Sequence, residues 1–279
     1  MKIKKLFSVT CCLLVGVLTL TACGINLNME QKSPGKNLGT IALSVSTLNN
    51  PFFVSLGEGA KAKAEELDLD FLVLDSDASV PITNEAMKKG IKVVSVDSVI
   101  NGAKVDAQIS SDNVEGGKIA AQYILDKVGK GAKVVEIEGI PGNSTTIQHG
   151  EGFHKIADEN LNVVAKQTAN FNHSEGLSVM ENILQANPDI KAVFAHNDEM
   201  ALGAIEAIGD KDILVVGFDA IEDVVQAIKD GKMDATIEQK PSLLGEKAVY
   251  VASSLLVGHE FQQPIKVEVE LIENVENNK

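Results

Sequence analysis

The sequence predicts an α/β fold of parallel sheets covered by helices on both faces, and two observations lead there. Short β-rich runs alternate along the chain with amphipathic stretches that carry Ala and Leu at helical spacing. Alternating elements of this length imply strands joined by crossover helices. Asn50 followed by Pro51 then supplies a helix start, a capping residue with proline at the first helical position.

The first candidate strand covers residues 40–46, and Phe53, Leu56, Ala60, Ala64 and Leu67 mark one face of the helix after it. Further candidate strands lie at 71–74, 91–96, 133–137, 162–165, 192–195, 213–217 and 235–237. In open parallel sheets a ligand site forms outside the carboxyl ends of the strands. The polar and aromatic residues just past those ends are Ser46, Asn50, Phe52, Phe53, Asp97, Asn143 to His149, Phe171, Asn197, Phe218, Asp219 and Gln239. Carboxylates and amides beside aromatic rings, with few positive charges, suit a neutral polyol: the polar groups hold hydroxyls, and phenyl faces cover the C–H faces of a sugar ring.

The chain opens with Lys2, Lys4 and Lys5, then an apolar run at residues 6–20, then Leu20-Thr21-Ala22-Cys23. A basic start, a short apolar stretch and a small-residue cleavage site describe a secretory signal, residues 1–22, rather than a membrane span. The closing tetrapeptide resembles a bacterial lipobox, which implies a lipid on Cys23 and placement on the extracytoplasmic face of the membrane, in the periplasm or at the cell surface. Residues 23–37 are polar and carry Ser33-Pro34-Gly35, the composition of a flexible tether. Cys11 and Cys12 fall inside the signal, so the mature chain keeps one cysteine and has neither an internal disulfide nor a cysteine metal cluster.

The formal net charge is −14. That disfavours nucleic acid as a partner, because phosphate binding wants a basic face. Arginine is absent, and all 25 positive side chains are lysine.

No enzyme signature stands out. His149 and His154 lie five apart, about 140° around a helix, unlike a metal-binding i, i+4 pair. No Gly-x-Ser-x-Gly elbow or Gly-Lys-Ser/Thr phosphate loop follows a strand, and Gly116-Gly117-Lys118 reads as a helix start. Asn143-Ser144-Thr145 fits a glycosylation acceptor on paper and reads here as a site loop. Asp97 and Asp219 have nothing in the sequence to supply the raised pKa of an acid/base pair. The expectation is binding, with no catalysis, cofactor or metal.

At Thr47-Leu48-Asn49-Asn50-Pro51-Phe52-Phe53 the chain resembles the ribose-binding proteins of ABC importers. Ser111-Asp112-Asn113 with Gly116-Gly117-Lys118, Gly150-Glu151-Gly152-Phe153, Asn197-Asp198-Glu199-Met200-Ala201-Leu202-Gly203 and Gly217-Phe218-Asp219 match the same family in order. The resemblance implies two doubly wound parallel-sheet lobes joined by a three-strand hinge, the type I periplasmic binding protein fold. Lobe I would comprise residues 38–111 and 240–265, and lobe II residues 112–239 and 266–279, with crossings near Ser111, Gln239 and Ile265. It also implies a monomer that binds a monosaccharide, ribose foremost, and hands it to an ABC permease in the membrane. The ligand positions it implies are Ser46, Asn50, Phe52, Phe53, Asp97, Ser98, His149, Phe171, Asn197, Phe218, Asp219 and Gln239.

Two departures stand out. The family usually places arginine where this chain has Ser98 and His149. A helix and strand of roughly 30 residues are missing between Asp75 and Ala78, which shortens the first lobe. A sensor that presents bound sugar to a membrane receptor fits the same features. So does a deletion product with impaired binding. Sugar-responsive repressors share the fold, but here the signal stands in place of a DNA-binding headpiece.

Overall fold

The computed structural model describes residues 39–75 and 80–274. The signal, Cys23, the tether and the junction at residues 76–79 lie outside the described residues. The chain is a mixed α/β protein with two systems of parallel strands.

The larger system is a six-stranded sheet in the order β11-β9-β8-β7-β5-β6. Its strands are β5 (Lys133–Glu138), β6 (Asn162–Thr168), β7 (Ala192–Ala195), β8 (Leu214–Asp219), β9 (Ala235–Glu238) and β11 (Glu270–Glu273). All pairings are parallel except that of β11 with β9. Side chains alternate across the sheet. Val134, Ala192, Phe194, Val216 and Phe218 join one core with α3 (Asn113–Val128) and α4 (Ser144–Asn160). Val135, Ile137, Val193, Ala195 and Val215 join a second core with α5 (His173–Ala186), α6 (Asp198–Ile208) and α7 (Glu222–Lys229). Apolar residues at both i and i+1 are what a sheet buried on two faces requires.

Helices α3 and α4 touch backbone to backbone. A Cβ on Gly117 would lie 2.3 Å from the His149 carbonyl oxygen, and one on Gly152 would lie 2.1 Å from that of Val114. Gly116-Gly117 is therefore a packing surface inside α3.

The smaller system is split. Among the described residues β1 (Thr40–Val45) pairs with β2 (Asp70–Asp75), and β4 (Ala107–Ser111) pairs with β3 (Val94–Val96) and with β10 (Ile265–Val267). No strand pairing joins β1 to β3 among the described residues. One core still serves both pieces: Leu43, Val45, Phe52, Leu56, Ala107, Ile109, Leu244, Val249 and Val267 pack together. α1 (Pro51–Glu66) and α8 (Pro241–Leu256) pass close, with a Cβ on Gly245 only 2.0 Å from the Leu56 carbonyl oxygen. α2 (Val80–Lys88) completes this half.

The chain passes between the two systems three times: from β4 into α3, from β9 into α8, and from β10 into β11. Hydrogen bonds tie these passages together. Asp112 N–H donates to the Val267 carbonyl at 2.8 Å, Lys266 Nζ to Asp112 Oδ1 at 2.8 Å, and Ser111 Oγ to the Gln239 carbonyl at 3.4 Å.

Candidate functional site

Three of the amides at strand ends are helix caps. Asn50 Oδ1 accepts from Phe52 N–H at 2.9 Å, Asn143 Oδ1 from Thr145 N–H at 2.8 Å, and Asn197 Oδ1 from Met200 N–H at 3.0 Å. Capping occupies the oxygen and leaves the NH₂ group for other partners. In Asn197 that nitrogen is buried and has no partner. Gln239, also buried, donates Nε2 to Asp219 Oδ1 at 2.6 Å while its Oε1 has no donor. Buried polar groups are nearly always paired. These two orphaned atoms, beyond β7 and β9, therefore point to a missing partner rich in hydrogen bonds.

The smaller half contributes Asp97 and Ser98, just past β3. Asp97 is buried, adopts φ +69°, and accepts a hydrogen bond from Ser98 Oγ at 3.0 Å. This loop meets the α4 start directly. Asn143 Nδ2 donates to Ser98 Oγ at 3.3 Å, Val99 N–H to Ser144 Oγ at 2.8 Å, and Asn101 Nδ2 to the Gly142 carbonyl at 3.3 Å. Burial pushes Asp97 up to about 6 against the Ser98 hydrogen bond. Burial and then the charge of Asp198 raise Asp219 well above the ordinary carboxylate range, and Asp97 adds to the effect. Asp198 is pushed up to about 7 by burial, although Thr236 Oγ1 at 2.6 Å and Ile221 N–H at 2.9 Å donate to it.

Two cavities open beside these carboxylates. One of about 410 Å³ lies between the α1 start (Leu48, Pro51, Phe52) and Asp219, Ala220 and Ile221. A smaller one of about 130 Å³ is lined by Asp97, Gln108, Ser110, Asn113, Gln148 and Lys266.

The other expected positions stand elsewhere. Ser46 is exposed, and Phe53 is half-buried with its ring edge-on to Phe52 at 5.2 Å. Phe171 lies over Gly139, where a Cβ would come within 2.0 Å of its ring. Phe218 is fully buried and stacks on His149 at 3.8 Å. His149 is also buried, with Nδ1 3.0 Å from the His196 carbonyl and Nε2 3.3 Å from Asn113 Oδ1. Burial, reinforced by the charge of His196, depresses its pKa well below the ordinary value, so the ring is neutral.

A buried charge network was not foreseen. Glu136 on β5 meets His196 Nε2 at 2.9 Å and His154 Nε2 at 2.8 Å. Burial would raise Glu136, but the hydrogen bond and charge of His196, then His154 and Lys166, take it down to about 2. A carboxylate between two apolar neighbours in Val135-Glu136-Ile137 was the available signal.

A family profile described as a periplasmic binding protein domain matches residues 71–260. The chain belongs to this family. The ribose import binding protein RbsB of Bacillus subtilis is 43% identical over 302 residues, covering 96% of this chain and 98% of that protein. Its Escherichia coli counterpart is 43% identical over 266 residues, covering 84% and 90%. Among solved structures, an ABC transporter periplasmic solute binding protein from Actinobacillus succinogenes with bound D-allose superposes with a TM-score of 0.78 at 28% identity, covering 84% of this chain and 97% of its own. The Caulobacter myo-inositol binding protein bound to myo-inositol gives 0.79 at 27%, covering 87% and 95%. This periplasmic binding protein thus has the two-lobed type I fold, and the relatives named are binding proteins for ribose, D-allose and myo-inositol.

Proposed function

We propose that this chain is an extracytoplasmic solute-binding lipoprotein that captures a monosaccharide, ribose or a close relative, between its lobes and delivers it to an ABC permease. The observation that carries this reading is the pair of buried, unpartnered atoms, Asn197 Nδ2 and Gln239 Oε1, beside Asp219. A polyol hydroxyl both donates and accepts, so one ring satisfies an amide nitrogen and an amide oxygen together. The ribose import binding proteins of two species at 43% identity support the sugar class.

The lobes are 38–111 with 240–265, and 112–239 with 266–279. Ligand contacts are assigned to Ser46, Asn50, Phe52, Phe53, Asp97, Ser98, His149, Phe171, Asn197, Phe218, Asp219 and Gln239. Hinge closure couples occupancy to docking on the permease. The first lobe lacks a central strand. The missing pairing between β1 and β3 supports this, as does a match of 302 positions, longer than the 279 residues of this chain.

The anchor is a lipid on Cys23. Two acyl chains give stable membrane residence where one is marginal. Mass spectrometry of the native N-terminus should find lipidated Cys23, and an intact Met1 would exclude it. A calorimetric screen of the mature chain against pentoses and hexoses tests the binding role, with saturable heat from at least one monosaccharide expected. Silence across the panel would refute it.

A further inference from the structure

The carboxylates at the cleft have no countercharge. Among the described residues no ion pair involves Asp97, Asp198 or Asp219, although each is at least nine-tenths buried. The chain has no arginine. Lys266, which lines the smaller cavity with Asp97, is held by Asp112 at 2.8 Å, and Lys240, next to Gln239, pairs with Glu270. His149 is neutral and both its ring nitrogens face protein atoms. A buried carboxylate without a cation or a full set of donors is among the most costly arrangements in a protein.

Counting donors and acceptors sharpens the imbalance. Asp198 is served by the protein on both oxygens, from Thr236 Oγ1 and Ile221 N–H. Asp97 receives Ser98 Oγ on Oδ2, and Asp219 receives Gln239 Nε2 on Oδ1 with the Asp198 backbone N–H. Burial favours the neutral form of both in the unliganded protein; a cation that draws them back to the ionised form would find about four acceptor positions on each, only partly filled by the protein. Gln239 Oε1, buried and directly beside Asp219, adds a further acceptor with no donor. Against these stand two orphaned amide donors, Asn197 Nδ2 and, in the cavity that Asp97 lines, Gln108 Nε2; both are neutral, so neither supplies the missing countercharge. Among the described residues no group of three or more His, Cys, Asp or Glu is placed to hold a metal ion. The complement of this surface is an organic cation with several N–H donors.

We infer that the ligand is an amino-substituted sugar whose protonated amine lies between Asp97 and Asp219 while its hydroxyls meet Gln239 and Asn197. This deepens the sugar-binding reading and rests on it. It makes Asp97 and Asp219 the groups that choose between an amine and a hydroxyl at one ring position.

The test is a set of paired calorimetric titrations of the mature chain: 3-amino-3-deoxy-D-ribose against D-ribose, and D-glucosamine against D-glucose. Charge-assisted hydrogen bonds predict that the better amine binds about tenfold or more tighter than its hydroxyl counterpart. Asp97→Asn and Asp219→Asn should each shrink that preference. Ser98→Lys, which sets an ammonium beside Asp97 within the protein, should reverse it in favour of the neutral sugar and guards against a folding failure in the first two. A hydroxyl sugar that binds as tightly as its amine, or tighter, overturns the inference and leaves monosaccharide binding intact. Silence from all four ligands overturns both.

Discussion

The two sheet systems are built from the same strand–helix units, yet one is continuous and the other is broken. In the six-stranded sheet β7 lies between β5 and β8, and all four of its residues are buried. In the smaller half, among the described residues, β1 has β2 as its strand partner, and β2 exposes 49% of Leu72, 38% of Val73 and 42% of Leu74. Three adjacent apolar residues exposed on a strand mean that both of its faces lack cover. The comparison teaches where the stability resides: the continuous sheet carries the scaffold, and the broken one carries part of the candidate site on a thinner core.

Several experiments would break or sharpen that contrast. The largest effect is expected in the continuous sheet. Phe194 is fully buried and stacks on Phe153 at 4.9 Å, so Phe194→Ala should cost about 3–5 kcal/mol in urea denaturation. Leu72→Ala should stay within about 0.5 kcal/mol. Equal losses would erase the distinction.

The protein reports on its own halves. It has no tryptophan and two tyrosines, Tyr123 on α3 and Tyr250 on α8. In Tyr123→Phe the remaining signal follows the smaller half, and in Tyr250→Phe it follows the larger. The Tyr250 transition should come first, by about 2–4 kcal/mol, a large part of a domain's margin. Coincident transitions would show that the broken sheet is as firm as the other.

Acid separates site from scaffold by sign. Glu136, held near 2 when folded against an ordinary 4.5, stabilises the protein above pH 4.5, and that contribution is lost as pH falls toward 2. Asp97 behaves oppositely. Its folded value near 6 exceeds the ordinary 3.8, so the native state binds more protons and stability declines as pH rises from 3.8 to 6. Each amounts to about 3 kcal/mol at most. Glu136→Gln should flatten the acid limb of a stability–pH curve, and Asp97→Asn should remove the decline between 3.8 and 6. The smallest effect is expected for Lys61→Ala, whose exposed partner Glu65 lies 3.9 Å away, at about 0.5 kcal/mol or less.

Much of this architecture was legible because buried strands announce themselves. Ala192–Ala195 and its neighbours are short apolar runs set between helical patterns, and every strand expected from periodicity has a counterpart. β4, β10 and β11 are harder to see, because Ala-Gln-Ile-Ser-Ser and Glu-Leu-Ile-Glu mix polar and apolar residues at the passage between lobes. Asp97, Asp219 and Gln239 were legible as polar residues just past strand ends. Phe218 and His149 follow the same rule in sequence but also serve the packing. Phe218 shares the face of Val216 at i, i+2, and His149 shares a helix face with Gly152 and Phe153 at i+3 and i+4, so periodicity alone does not separate a packing role from a ligand contact. The Glu136–His196 contact spans 60 residues of sequence and has no local signature.

The central claim is that a sugar is held between the two halves, and amide hydrogen exchange with and without saturating ligand tests it most directly. On binding, protection should rise on both sides of the cleft, at residues 97–101 of the smaller half and at 142–149, 197–200 and 218–221 of the larger. Protection confined to one half, or unchanged in both while calorimetry reports binding, would contradict it.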